Sequence, residues 1–199
     1  MSSSSPDTTQ PTLLCQIAEK YGTDKGLAIH GYTPHYNEAF EHRRHDVRRV
    51  FELGICGPPD VPSKAIGASL LTWRDYFPNA LIVGVDVNPK WLINLDRINS
   101  FWADETKLET MIGPLRSVNA LYDLMVDDAI HDPKEQLLML ETMLPFLARN
   151  GTYAMEDVCP WKLPNDDLHA LIDTFPDGLR TEVFKSTHKG EYLFLIKRL

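Results

Sequence analysis

The stretch MVDDAIHD, residues 125–132, runs an apolar segment into two adjacent carboxylates, Asp127 and Asp128, with an imidazole, His131, three residues past the second. Like charges crowded at the end of a buried element cost stability unless a cation or hydrogen-bond donors answer them. Two readings are open on this fragment. Asp is common at loop starts, as turn former and helix cap. Alternatively, the pair belongs to a metal or catalytic site. A second acidic pair, Glu156-Asp157, closes GTYAMEDV (151–158), and single acids Glu52, Asp86 and Asp104 end or follow other apolar runs. Oxygen-only ligands such as Asp128, Glu156 and Asp157 favour Mg²⁺, Mn²⁺ or Ca²⁺ over zinc, and a histidine beside such a cation can serve as a general base.

Those acids converge only if the elements carrying them share one end of a sheet. From about residue 47 the chain alternates strand-like and helix-like segments, the pattern of βαβ units. Strands are expected at VRRVFELG (47–54), ALIVGVDV (80–87), RINSFWAD (97–104), YDLMVDD (122–128) and GTYAMEDV (151–158). Helices are expected at SLLTWRDYF (69–77) with Ser69 as its cap, at ETKLETMIGPL, and at 134–148 behind Pro133, with Gly151 ending the last of these. Trp73, Phe77, Leu137, Leu140 and Leu144 fall at helical spacing and read as core. DDLHALIDTF reads as helical. TEVFKST and EYLFLIKR, joined by a turn too short for a crossover, must pair antiparallel. The sum is an α/β chain with a mostly parallel sheet, helices on both faces and a closing hairpin. Ligands of such sheets bind outside the carboxyl ends of the strands, where neighbours lie about 4.8 Å apart, so the five acidic ends would rim one crevice.

Composition bounds the partners. The chain has 199 residues, enough for one well-buried domain. Its hydrophobic content of 43%, charged content of 24% and net charge of −8 are those of a globular protein that is no general nucleic-acid binder. No apolar run reaches membrane-span length, and MSSSSPDTTQPT lacks the parts of a signal peptide, so residues 1–12 read as a disordered tail. Cys15, Cys56 and Cys159 show no metal spacing and read as reduced thiols of a cytoplasmic protein. A homodimer is compatible with the N-terminal segment, although no interface signature appears. His42 and His45, in EHRRHDVRR, read as a solvated face, and His169 and His188 as lying away from the rim.

FELGICG (51–57), with Asp86 in VGVDVNP, suggests a nucleoside cofactor whose ribose hydroxyls a carboxylate accepts bidentately. The glycine turn is a poor match to G-x-G-x-x-G, which disfavours a nicotinamide-dependent oxidoreductase. Taken with YGTDKG (21–26), YTPHY (32–36), GASLLTW (67–73), MVDDAIH (125–131) and GTYAMEDV, it makes the chain resemble the class I S-adenosylmethionine-dependent methyltransferases. More narrowly, these segments look like the metal-dependent sugar O-methyltransferases of macrolide biosynthesis, over roughly residues 17–160. The resemblance implies a Rossmann-like methyltransferase fold with a seven-stranded sheet, an N-terminal segment (13–46) covering the cofactor pocket, and a methyltransferase core over 47–199. It implies Glu52, Gly54 and Ser69 near the methionine part of S-adenosylmethionine, Asp86 on the ribose, Asp104 near the adenine and Asp127 at the cofactor. Tyr32, Thr33 and His35 would lie over the pocket. Asp128, Glu156 and Asp157 would bind Mg²⁺, with Mn²⁺ or Ca²⁺ as substitutes, and His131 would be the base.

The expected activity is Mg²⁺-dependent methyl transfer to a sugar hydroxyl of a small molecule or glycan with vicinal hydroxyls. The alternatives are a catechol-type O-methyltransferase acting on an aromatic diol and a non-catalytic cofactor-binding domain; Trp91, Trp102 and Trp161 could line either acceptor pocket, sugar or aromatic. The chain departs from the family at the Cys56–Pro58–Pro59 turn and at Ala129-Ile130, where a Gly-Ser pair is usual between the Asp and the His.

Overall fold

The computed structural model describes residues 11–55 and 66–199. The expected tail up to Gln10 and the turn holding Cys56, Pro58 and Pro59 lie outside the described residues. Seven strands form one sheet: β1 (Arg49–Leu53), β2 (Leu81–Asp86), β3 (Ile98–Trp102), β4 (Tyr122–Asp127), β5 (Leu147–Val158), β6 (Leu179–Lys185) and β7 (Tyr192–Arg198). Their order is β3-β2-β1-β4-β5-β7-β6. The first five pair in parallel, and β7 pairs antiparallel with both β5 and β6, as the short turn required. The strand order reverses at the β1–β4 seam, where an open α/β sheet places its ligand crevice.

The strands are apolar on both faces because helices cover both. Alternate residues serve alternate layers. Val50, Ile82, Leu124 and Val126 face one layer, built from α1 (Leu13–Tyr21), α2 (Thr33–Phe40) and α3 (Ala68–Tyr76). Phe51, Val83, Val85 and Met125 face the other, built from α4 (Leu108–Arg116), α5 (Pro133–Met143) and α6 (Leu168–Ile172). Trp73, Phe77 and Leu140 are fully buried, and Leu137 and Leu144 pack at the margin of the second layer. Among the described residues, no helix is long and apolar enough to cross a membrane.

Several expected boundaries shift, each for a local reason. Thr12 is part of the first helix rather than of a tail, since its hydroxyl accepts the Cys15 N–H as N-cap. Ser69 does not cap α3. Gly67, in the left-handed conformation, holds the cap position, and Ser69 is buried in the first turn. A Cβ at Gly67 would meet Ile93 Cδ1 at 2.4 Å. The helix expected over 134–148 ends at Met143, because Pro145 cannot donate to the ladder and leaves only a 3₁₀ turn over Leu144–Phe146. Gly151 therefore lies inside β5 instead of ending a helix. α4 starts at Leu108, after a turn that Asp104 organises by accepting the Thr106 N–H and hydroxyl.

One backbone position ties this frame to the crevice. Gly54, just past β1, has φ +81°, and a Cβ there would lie 2.1 Å from the Asp128 carbonyl oxygen. Backbone cannot retreat as a side chain can. Gly54→Ala is expected to destabilise the fold by about 3 kcal/mol or more, a drop of roughly 10 °C in melting temperature for a domain of this size. A melt within about 2 °C of the parent would show that the β1–β4 approach is not tight.

Candidate active site

At the carboxyl end of β1, Glu52 is fully buried and accepts the Trp73 indole N–H at 3.2 Å. Beyond β4, the Asp128 amide donates to the Leu53 carbonyl at 2.9 Å, continuing the ladder by one residue and turning the side chain into the crevice. β5 supplies Glu156 and Asp157. The Gln136 side chain, from α5, donates to the Glu156 carbonyl at 2.6 Å and fixes that strand end. Asp157 and His131 both adopt left-handed backbone conformations, φ +51° and +53°. Such conformations cost about 1–3 kcal/mol for non-glycine residues and persist where surrounding structure enforces them.

Three of the acids, Glu52, Asp128 and Glu156, converge on Lys25. Its ammonium lies 2.5 Å from Asp128 Oδ2, 2.6 Å from Glu156 Oε2 and 3.3 Å from Glu52 Oε1. Lys25 comes from the loop between α1 and α2 and is 1% exposed. The Tyr36 hydroxyl donates to the second Glu156 oxygen at 2.5 Å, so both oxygens of that carboxylate are engaged. Asp128 Oδ1 lies 3.0 Å from His131 Nε2, and Asp157 Oδ2 lies 3.7 Å from His131 Nδ1. The Tyr32 hydroxyl donates to Asp157 Oδ1 at 2.6 Å, and His30 Nδ1 lies 3.2 Å from the same oxygen.

Charge in this cluster is unbalanced. Among the described residues, Glu52, Asp128, Glu156 and Asp157 face one ammonium, Lys25, and two imidazoles, His30 and His131. Burial opposes charge on Lys25, but the fields of Asp128, Glu156 and Glu52 outweigh it and hold the ammonium well above its ordinary pKa. Burial also pushes Glu52 up to about 7 and raises Glu156 and Asp157, whereas Lys25 and His131 hold Asp128 below its ordinary value against burial. His131 is carried the other way. Burial would lower it, yet Asp128 and Asp157 raise it to about 9. A cation among these oxygens would relieve the excess negative charge. One ligand atom each from Asp128, His131 and Asp157 lies within 4.8 Å of the others, a mixed carboxylate and imidazole set that could hold a divalent ion and that does not include Glu156.

Beside the cluster opens a cavity of about 320 Å³, rimmed by Gly54, Asp86, Trp91, Asp104, Glu105 and Asp128 among others. Four of the expected residues, Gly54, Asp86, Asp104 and Asp128, thus share one wall. The rest of the expected cofactor set lies elsewhere. Glu52 belongs to the buried cluster itself, and Ser69 is buried beside it. Asp127 points into the opposite layer, where the Tyr153 hydroxyl donates to it at 2.9 Å and burial pushes it up to about 7. Tyr32 serves Asp157. Thr33 is buried against Cys15 Sγ at 3.2 Å, and His35 stacks on Phe184 at 4.0 Å between ring centroids, at a separate groove under β6. Of the tryptophans, Trp91 lines the cavity, Trp102 donates to the Val87 carbonyl, and Trp161 is exposed.

Sequence reading missed several residues. Lys25 and Tyr36 stand inside YGTDKG and YTPHY, yet nothing local shows that they reach β5. His188 does not lie away from the rim, because its ring packs edge-on against His30 at 5.1 Å. Glu105 is the other omission. It is buried against the cavity with Oε2 lacking a hydrogen-bond partner among the described residues, whereas the Asp104 carboxylate is consumed by Thr106 and Lys107.

No family model matches the chain. It is 34% identical over 160 residues to the 8-demethyl-8-(2-methoxy-alpha-L-rhamnosyl)-tetracenomycin-C 3'-O-methyltransferase of Streptomyces olivaceus, covering 77% of this chain and 40% of that protein. It is 28% identical over 145 residues to the mycinamicin VI 2''-O-methyltransferase of Micromonospora griseorubida, covering 73% and 36%. Among solved structures, the MycE methyltransferase of mycinamycin biosynthesis, in complex with Mg and SAH, superposes with a TM-score of 0.77 at 23% identity. That match takes in 96% of this chain and 56% of MycE. The chain belongs to the class I S-adenosylmethionine-dependent methyltransferases. The methyltransferase fold accounts for the seven strands and their closing hairpin. The chain spans about two fifths of the length of the curated relatives it matches.

Proposed function

We propose that the chain carries out divalent-cation-dependent transfer of a methyl group from S-adenosylmethionine to a hydroxyl of a sugar, of the rhamnosyl or olivosyl kind named for its relatives. The observation that supports this most is that Asp128 meets Glu156 at Lys25 and Asp157 at His131, beside a cavity rimmed by Gly54 and Asp86. When bound, the sulfonium supplies an activated methyl group, and a divalent ion (Mg²⁺, or Mn²⁺ in its place) supplies positive charge beside the acceptor oxygen.

The remaining work falls to the chain. Gly54 lets the backbone pass close to the cofactor. Asp86 accepts the Ile55 and Asn88 N–H groups, one on each oxygen, and keeps lone pairs for the ribose hydroxyls. Asp128 and Asp157, with Glu156, hold the cation. His131 takes the proton of the acceptor hydroxyl. An imidazole held protonated up to about 9 by its acidic neighbours is no base at neutral pH, so that role requires their charge to be answered. Ile130, 41% exposed at the cavity mouth, meets the acceptor. The acidic charge and the free thiols Cys15 and Cys159 suit a cytoplasmic setting.

Glu105, rather than Asp104, reads the adenine edge in this account. Burial, then the field of Asp127, pushes its carboxyl up to about 8, so at neutral pH it can both donate and accept. Glu105→Ala should weaken S-adenosylhomocysteine binding about tenfold or more in calorimetry, and Asp104→Asn less than about threefold. The reverse order would return the adenine contact to Asp104.

The activity is tested by incubating the protein with S-adenosylmethionine, Mg²⁺ and a panel of rhamnosides, other deoxyhexosides and catechol. Mg²⁺-dependent methylation of a glycoside is expected. Preferential methylation of catechol, or transfer unaffected by EDTA, would overturn the proposal.

A further inference from the structure

We infer that Lys25 is the resident counter-cation of the carboxylate cluster, and that a divalent ion must take Asp128 and Glu156 from it. This rests on the divalent-cation reading above. The ammonium has three N–H donors, and three carboxylates, from β1, from the turn after β4 and from β5, lie within 3.3 Å of it. The loop that delivers it is closed on itself: the Tyr32 and Thr33 amides both donate to the Lys25 carbonyl, at 3.0 and 3.1 Å. Lys25 is thus a built part of the site, anchored at its backbone and 1% exposed.

The oxygens it holds belong to two of the carboxylates that the divalent-cation reading assigns to the ion. Asp128 Oδ2 and Glu156 Oε2 both point at Nζ, and the second Glu156 oxygen is held by Tyr36. An ammonium and a divalent ion sharing one oxygen pair in a buried site would repel strongly, because little water screens them. The two cations therefore exchange. Without the ion, Lys25 keeps the buried carboxylates assembled, so the site is formed before metal arrives. With the ion, the Lys25 side chain leaves Asp128 and Glu156 and retains Glu52.

Replacing the ammonium with an apolar chain of similar length separates this role from simple packing. Lys25→Met in chelator should melt about 10 °C below the parent, since the buried carboxylates lose their fixed partner. Saturating Mn²⁺ should raise both melting temperatures, and that of Lys25→Met by about 3–6 °C more than the parent's, the extra shift a tenfold tighter site gives. In calorimetry Lys25→Met should bind Mn²⁺ about tenfold more tightly than the parent, because no resident cation has to be displaced. Lys25→Gln, neutral but able to hydrogen-bond, should move both readouts the same way if Lys25→Met does not fold. Equal or weaker Mn²⁺ binding by the variants, with the parent binding normally, would overturn the exchange alone. Absence of Mn²⁺ binding in parent and variants would overturn it together with the divalent-cation reading.

Discussion

Asp128→Asn is expected to lower Mg²⁺-supported methyl transfer by about 10³-fold or more, while S-adenosylhomocysteine affinity stays within about threefold. Asn keeps the shape of the side chain and removes its charge, so the change isolates electrostatics from packing. Asp128 is the carboxylate through which the parts of the site communicate: Oδ2 meets Lys25, Oδ1 meets His131, and its backbone carries the close approach to Gly54. The cavity proposed for the cofactor is also lined by Asp86 and Glu105, so donor binding is expected to lose one neighbour and no direct anchor. Turnover and calorimetric titration on the same preparation check both halves. Full turnover of the variant in EDTA would remove Asp128 from any cation-dependent step.

Replacing His131 should cost about 10²–10⁴ in rate, the usual size of a general-base contribution, with little effect on Mn²⁺ affinity. The pairing of readouts matters, because His131 stands within ligand distance of the same carboxylates. If it were a ligand, affinity would fall with rate. If it is the base, only the rate falls. His131 adopts φ +53°, so His131→Ala carries backbone strain as well, and His131→Asn, which tolerates that conformation, is the cleaner variant. The loop is further held by Lys162, which donates to the His131 carbonyl at 2.7 Å. Loss of Mn²⁺ binding in His131→Asn would move His131 from base to ligand.

The sheet was legible because its signals are local. Apolar runs such as LIVGVD mark strands buried on both faces, and the HKG turn allows only an antiparallel pair. Which acids fall at carboxyl ends follows from the same alternation, so Asp86 and Asp128 could be assigned to the crevice from spacing. Side-chain direction at those ends could not. Asp127 and Asp128 are adjacent, and the pleat sends one to Tyr153 and the other to the crevice. Asp104 and Glu105 divide in the same manner, one closing its own turn and the other facing the cavity. Lys25 was the least legible. Its partners are 27, 103 and 131 residues away in sequence, and no periodicity links a loop lysine to three strand ends. The acidic excess itself was the clue, because buried like charges demand a cation from somewhere in the chain or from solution.

The most direct measurement is anomalous diffraction from crystals grown with Mn²⁺ and S-adenosylhomocysteine. One anomalous peak is expected among the carboxylate oxygens of Asp128, Glu156 and Asp157, next to the occupied cavity, with the Lys25 ammonium withdrawn from Asp128 and Glu156. A structure holding the donor product but no manganese at those oxygens, with Lys25 still bridging them, would contradict the account.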